Sequence, residues 1–152
     1  MMTVRVCVQE EDFDVGAEIT VLRAGDRRVG AVAVFVGTVR DMNESSVVET
    51  MQLEHYPGMT EKSLMHIVDQ AQQRFAMYGA TVIHRVGALQ PLDQIVLVAV
   101  TSAHRGDAFD ACRFIIDYLK TEAPFWKKEK TPQGERWVDA RDSDDKARQR
   151  WE

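Results

Sequence analysis

The sequence predicts an α+β domain built on a mainly antiparallel sheet, and three observations carry this expectation. Apolar, β-branched runs of strand length recur at Val29 to Val39, Thr81 to Val86 and Ile95 to Val100. Strands and helices alternate irregularly, and several strand pairs have connections too short for the crossover helix of a parallel sheet. The 152 residues, 45% apolar and 28% charged, are enough to bury one core without disulfide or metal staples.

The elements follow in order. Val4, Val6 and Val8 alternate with Arg5, Cys7 and Gln9, the period-2 pattern of a strand with one face more buried. Asp14 can cap a short helix from Ala17 to Leu22, ended at Gly25. Val29 to Val39 is almost continuously apolar, as expected of a central strand covered on both faces. Asp41 to Glu49 has no periodicity and is expected to be an exposed, mobile loop. Thr50 to Tyr56 resumes strand alternation, with Met51, Leu53 and His55 on one side.

After Pro57 and Gly58, the residues Leu64, Ile67, Val68, Ala71, Phe75 and Tyr78 form one helical stripe, closed by Gly79. Thr81 to Val86 and Ile95 to Val100 read as strands joined by a turn at Gln90 to Asp93. A second helix runs from Asp107 to Thr121 over Ala108, Ala111, Cys112, Ile115 and Leu119, and Pro124 ends it. Trp126 to Thr131 and Glu135 to Ala140 flank Pro132-Gln133-Gly134 as a hairpin. Residues 1–141 are expected to form one domain. Residues 142–152 are expected to form a tail, a frayed helix capped by Ser143 with little apolar surface to hold it down.

Composition narrows the function. Nineteen basic against 24 acidic residues give a net charge of −5, which argues against a general nucleic-acid coat. No apolar run reaches membrane-span length and the N-terminus lacks signal-peptide regions, so a cytoplasmic location is expected. Cys7 and Cys112 have no CxxC spacing and read as small buried residues, and His55, His66 and His84 have no ligand-spaced partners. Walker A, GxGxxG, HExxH and GxSxG motifs are absent.

Two apolar strands end in polar tips: Gly37-Thr38-Val39-Arg40, and Thr101 to Asp107 with His104 and Arg105. If the strands are neighbours whose tips meet, their guanidinium groups and a helix N-terminus suit a phosphate or carboxylate. The alternative is that Arg40 and Arg105 pair with Asp41 and Asp107, and that His104 is a cap or surface residue. In Asp117 to Lys130, Lys120 lies near a helix end and Lys127 and Lys128 follow two aromatics. A lysine beside other cations or an apolar wall becomes a useful acid, base or anion stabiliser. The alternative is a helix-dipole partner at Lys120 and solvated strand lysines at 127 and 128. Lys127 and Lys128 point to opposite faces of a strand, so at most one enters a given pocket. Phe125, Trp126, Trp137 and Tyr118 could wall a pocket, but core positions are the more usual reading.

At these residues the chain resembles the MoaE family, the large catalytic subunit of molybdopterin synthase. The matching segments are GAVAVFVGTVRD (Gly30 to Asp41), LEHYPGM (Leu53 to Met59), RVGAL (Arg85 to Leu89), the long block Ser102 to Glu129 through FWKKE, and ERWVDAR (Glu135 to Arg141). The resemblance implies an α/β hammerhead-type fold with an additional antiparallel sheet, and a heterotetramer built on a homodimer of this subunit. It implies transfer of two sulfurs from a small ubiquitin-like partner, carried as a C-terminal Gly-Gly thiocarboxylate, to cyclic pyranopterin monophosphate. No metal or organic cofactor is implied. Position by position, the family's essential lysines fall on Lys120 and Lys127, its phosphate and pterin contacts on Arg40, His104 and Arg105, and a pocket phenylalanine on Phe35. Arg141 matches an arginine supplied by the other copy of the dimer. Thr38 and Ile116 stand where other members carry lysine and methionine, and receive no role. The competing class is a non-catalytic subunit that only docks a ubiquitin-like tail, its lysines serving as counter-charges.

Overall fold

The protein, represented by a computed structural model, is described at residues 2–43, 46–138 and 142–152, with side chains at all of these except 43, 46 and 142–144. The first sheet has the order β1-β6-β8-β2, from β1 (Thr3–Gln9), β2 (Ala31–Thr38), β6 (Gly79–Arg85) and β8 (Gln94–Ser102). β1 runs parallel to β6, and the other pairings are antiparallel. The second sheet, β10-β9-β5-β7, is antiparallel throughout. It is built from β5 (Thr50–His55), β7 (Gly87–Leu89), β9 (Phe125–Thr131) and β10 (Gly134–Val138). The α+β expectation with an additional antiparallel sheet is borne out.

Strand alternation sorts the core. Ala80, Val82, Val96, Val98 and Val100 point to one face, where α2 (Met59–Arg74) and α3 (Arg105–Glu122) cover them with Leu64, Ile67, Val68, Ala111, Phe114 and Ile115. Ile83, Leu97 and Ala99 point to the other face against Phe13 and Leu22, which flank or belong to α1 (Val15–Arg23). Asp14 caps α1 as expected, its Oδ1 accepting from the Ala17 N–H at 3.0 Å. A third cluster of Val39, Met51, Leu53, Val86 and Leu89 joins the two sheets.

Several expectations need correction. Val29 to Val39 does not form a central strand: β2 is at the sheet edge, and Val34 is 39% exposed, while β6 and β8 take the centre. Apolar content alone did not separate an edge strand covered by α3 from one buried on both sides. The helix expected to reach Tyr78 ends at Arg74, because Phe75 is already extended (φ −128°, ψ 147°). Gly79 therefore opens β6 instead of closing a helix, and a Cβ there would meet the Thr3 carbonyl oxygen at 2.9 Å. The Gln90 to Asp93 turn joins β7 to β8, and β7 was too short to leave a periodic signal. The 41–49 segment contains β3 (Met42–Asn43) and β4 (Ser46–Val47), paired with each other, and Val48 is buried.

The tail also differs. α4 (Asp142–Gln149) leads to Trp151, whose ring packs edge-on against Phe75 and Phe114 at centroid distances of 5.6 and 5.5 Å. The indole N–H donates to Asp117 Oδ2 at 2.8 Å, and the Arg74 guanidinium donates to the Trp151 carbonyl at 2.9 Å. One aromatic residue supplies the anchoring that the polar composition of the tail hides. The expected Ser143 cap and Ala140 strand end lie outside the described side chains and residues.

Two stability predictions follow from this packing. Gly30→Ala would place its Cβ 2.2 Å from the Ala103 carbonyl oxygen, a backbone atom. Urea denaturation should show a loss of about 2–3 kcal/mol. Trp151→Ala removes the ring and the indole hydrogen bond to Asp117, which keeps only its pair with Arg150 at 3.6 Å. The same measurement should show a loss of about 2–3 kcal/mol, with Trp151→Phe recovering part of it.

Candidate active site

The register of β2 and β8 decides where the candidate residues lie. Ala31 pairs with Ser102 and Thr38 pairs with Gln94, so the C-terminal tips of these neighbouring strands point to opposite ends of the sheet. The expectation that Arg40 meets His104 and Arg105 within one chain is therefore corrected: neighbouring strands have adjacent tips only when parallel. Helix α3 starts at Arg105 and runs back along the sheet, so Lys120 lies about 22 Å of helical rise from Arg105.

Lys120 thus returns to the end of the sheet that holds the C-terminus of β6. Lys127 reaches the same end from another element. It pairs with Leu53 and Val138 in the second sheet, and shares its face of β9 with Phe125 and Glu129. Lys128 points the other way, where its ammonium binds Glu135 at 2.8 Å and lies 5.5 Å from the Trp137 ring centroid. This bond raises the Lys128 pKa and lowers that of Glu135. Of the two adjacent lysines, 128 is the one committed to a surface ion pair. Arg40 follows Val39, which is buried with Leu53 and Phe125, and so belongs with the lysine end.

Both lysines act through space on His84, for which the sequence predicts a structural place. His84 is 5% exposed, its Nδ1 lies 2.8 Å from the Arg85 carbonyl oxygen, and its ring stacks on Phe125 at 3.7 Å and 18°. A carbonyl only accepts, so Nδ1 carries the proton of the neutral ring. Burial pushes the imidazole down to about 3, with the hydrogen bond opposing this and Lys120, Lys127 and His55 adding repulsion. The sequence signal was a polar residue inside the apolar run of Thr81 to Val86.

At the opposite end, His104 and Arg105 are exposed at the start of α3. His104 occupies the cap position without a side-chain capping bond. No ion pair joins Arg40 to Asp41 or Arg105 to Asp107 among the described residues, so the surface-pairing alternative is not realised. Phe35 is half-buried against the α3 core opposite Val98, Ile116 is buried and Thr38 is exposed. Arg141 lies outside the described residues. Trp126 and Trp137 are 50% and 56% exposed instead of core, whereas Tyr118 and Phe125 are half-buried. Glu129 is a buried carboxylate ion-paired with Arg136 at 3.4 Å. Cys112 is buried, which pushes its thiol up to about 12, and Cys7 is half-buried with its Sγ 2.9 Å from Gln9 Oε1. No helix among the described residues is long and apolar enough to cross a membrane.

The depressed His84 pKa has a consequence with a definite sign. The unfolded imidazole binds a proton below about 6.5 and the folded one only near 3, so the fold loses stability as pH falls through that window. Urea titrations at stepped pH should show this slope, and His84→Phe should flatten it.

Comparisons with known proteins identify the family and the fold. Residues 8–122 match the family model described as MoaE protein. The molybdopterin synthase catalytic subunit of Ralstonia nicotianae is 66% identical over 151 residues, covering 99% of this chain and 85% of that protein. The molybdopterin biosynthesis MoaE protein from Burkholderia ambifaria superposes with a TM-score of 0.83 at 56% identity, covering 99% of this chain and 98% of the other. At 17% identity, the complex of subunits 1 and 2 of molybdopterin-converting factor from Helicobacter pylori shares the fold, with a TM-score of 0.70 over 91% of each chain. With a family model spanning most of its length and relatives above half identity along nearly all of it, the chain belongs to the MoaE family.

Proposed function

We propose that this chain is the catalytic subunit of a molybdopterin synthase. It transfers two sulfurs, in the cytoplasm, from the C-terminal thiocarboxylate of a small ubiquitin-like partner to cyclic pyranopterin monophosphate. The observation that carries this reading is the convergence of Lys120, from a helix end, and Lys127, from a strand, on the same end of the sheet around one neutral histidine. Two ammonium groups there suit a reaction that builds negative charge on oxygen and needs protons moved.

In the proposed sequence the partner's thiocarboxylate sulfur attacks a side-chain carbon of the pterin, forming a C–S bond as a C–O bond at that carbon breaks. The oxygen leaves with a proton supplied by a lysine, and the acyl group stays on the sulfur as a thioester. Water then releases the partner's tail as a carboxylate and leaves the sulfur on the pterin, and a second carrier repeats the cycle. Lys120 and Lys127 stabilise the tetrahedral oxyanion and relay protons, and Arg40 holds the anionic end of the substrate. The sulfur arrives on the partner, so the chain needs no reactive cysteine, and buried Cys112 suits this. No metal or cofactor takes part in the proposal. The small partner is supported by the Helicobacter pylori relative in fold, which is a complex of two subunits.

His104 and Arg105 cannot reach the lysines of their own chain, so in this reading they serve a second copy. β2 is an edge strand, and a two-fold axis beside it sets the Ala31 end of one copy against the Thr38 end of the other. This brings one copy's His104 and Arg105 to the other's Arg40. The proposed homodimer thereby holds two composite sites, each phosphate gripped across the boundary, and Arg141 joins in the same way. Phe35 lines the site from β2.

Reconstitution with thiocarboxylated partner and phosphorylated pterin, read as dithiolene formation, tests both parts. Lys120→Ala should abolish turnover while fold and partner binding persist; normal product formation by that variant would reject the catalytic role of Lys120, and failure of the wild-type chain to convert the pterin would favour docking alone. Lys120→Ala and Arg105→Ala should each be inactive alone, yet co-expression should restore about a quarter of wild-type activity, since half the dimers then carry one intact site. No recovery would place all the residues in one chain's site.

A further inference from the structure

We propose that His84 is a positioning residue for the lysine pair, a buried and stacked imidazole that accepts through Nε2 and orients ammonium charge at this end of the sheet. This rests on the catalytic reading of Lys120 and Lys127.

The geometry restricts the ring in three ways. It is buried at the C-terminal end of β6, between Val8 and Val96 in register. It lies flat on Phe125, the first residue of β9 and two positions before Lys127. Its Nδ1–H is committed to the Arg85 carbonyl. Stacking fixes the ring plane and the hydrogen bond fixes its rotation and tautomer, leaving Nε2 as an unprotonated acceptor. The groups that act on the ring through space come from three packed elements: Lys120 on α3, Lys127 on β9 and His55 on β5. All are cationic or potentially so, and no carboxylate is among them. A histidine that took up a proton here would add a further positive charge to the lysine end, and the surroundings oppose that.

The arrangement also separates His84 from a general base. A ring whose one proton is committed to a backbone carbonyl and whose surroundings oppose a second does not shuttle protons, but its Nε2 can accept a hydrogen bond from an ammonium and favour the charged form. The role that suits it is to keep lysine charged and aimed while negative charge develops on the substrate. A purely structural histidine would fill the same space, so the test must read charge instead of volume.

The experiment compares wild type, His84→Phe and His84→Gln in the reconstituted reaction across pH. Phe keeps the stack and removes the acceptor, whereas Gln restores an acceptor near the Nε2 position. The expected result is a kcat reduced about 10- to 100-fold in His84→Phe with KM for the pterin changed less than about twofold. The alkaline limb of its kcat profile should move to lower pH, because lysine loses an acceptor that favours its charged form, and His84→Gln should recover much of both. Unchanged kcat and alkaline limb in a folded His84→Phe would overturn the proposal. If that variant does not fold, the imidazole 15N spectrum of the wild-type protein decides. A neutral Nδ1–H ring from pH about 5 to about 9 supports the role, and an Nε2–H or charged ring overturns it. Failure of the catalytic reading itself is separate, since it shows as persisting turnover in Lys120→Ala.

Discussion

The antiparallel pairing of β2 with β8 is the constraint on which the site depends. Its register sends Arg40 to one end of the sheet and His104 with Arg105 to the other. Helix α3 then spans the distance between the ends, starting beside His104 and finishing at Lys120. An 18-residue helix packed on Val98 and Val100 through Ala111 and Ile115 is a rigid rod, so the separation is fixed by the same contacts that make the core. A chain built this way presents one set of cations at each end. In the proposed assembly the two sets belong to different copies, which makes the dimer the unit of function instead of an incidental association.

The lysine end depends on the second sheet. β9 places Lys127 and Lys128 on opposite faces, and their environments diverge at once: Lys128 is bound by Glu135 in solvent, while Lys127 lies on the face shared with buried Glu129. The cluster of Val39, Met51, Leu53 and Phe125 joins this sheet to the first, and His84 stacks on the same phenylalanine. Packing and electrostatics therefore act through shared residues. Phe125 is at once a core contact, the platform for a neutral imidazole and the start of the strand that carries a lysine.

Much of this was legible in the sequence where a local pattern had a physical cause. The Asp14 cap, the α3 stripe and the alternation that separates Lys127 from Lys128 all follow from residue spacing. Non-local features were not legible. Nothing in Val29 to Val39 says edge or centre, and nothing in two arginine-bearing tips says whether their strands run together or opposed. Phe75 and Tyr78 continued a helical period by coincidence: the chain is already extended at Phe75, and Gly79 opens β6 where Thr3 passes too closely for a side chain. Trp151 was hidden in a charged tail, since its partners Phe75, Phe114 and Asp117 are distant in sequence. The roles of Lys120 and Lys127 came from family resemblance, and Arg141 lies outside the described residues.

The division of the site between copies is open to a direct distance measurement. Copies spin-labelled only at exposed Thr38, in a Cys7→Ser background, would be mixed with copies labelled only at Asp107 beside the start of α3. Each chain holds one label, so dipolar coupling between the two positions arises only across copies. The account predicts a Thr38-to-Asp107 separation shorter than the roughly 26 Å that the eight steps of β8 from Gln94 to Ser102 set between the ends of the sheet within a chain. Absence of coupling, or only longer separations, would contradict it.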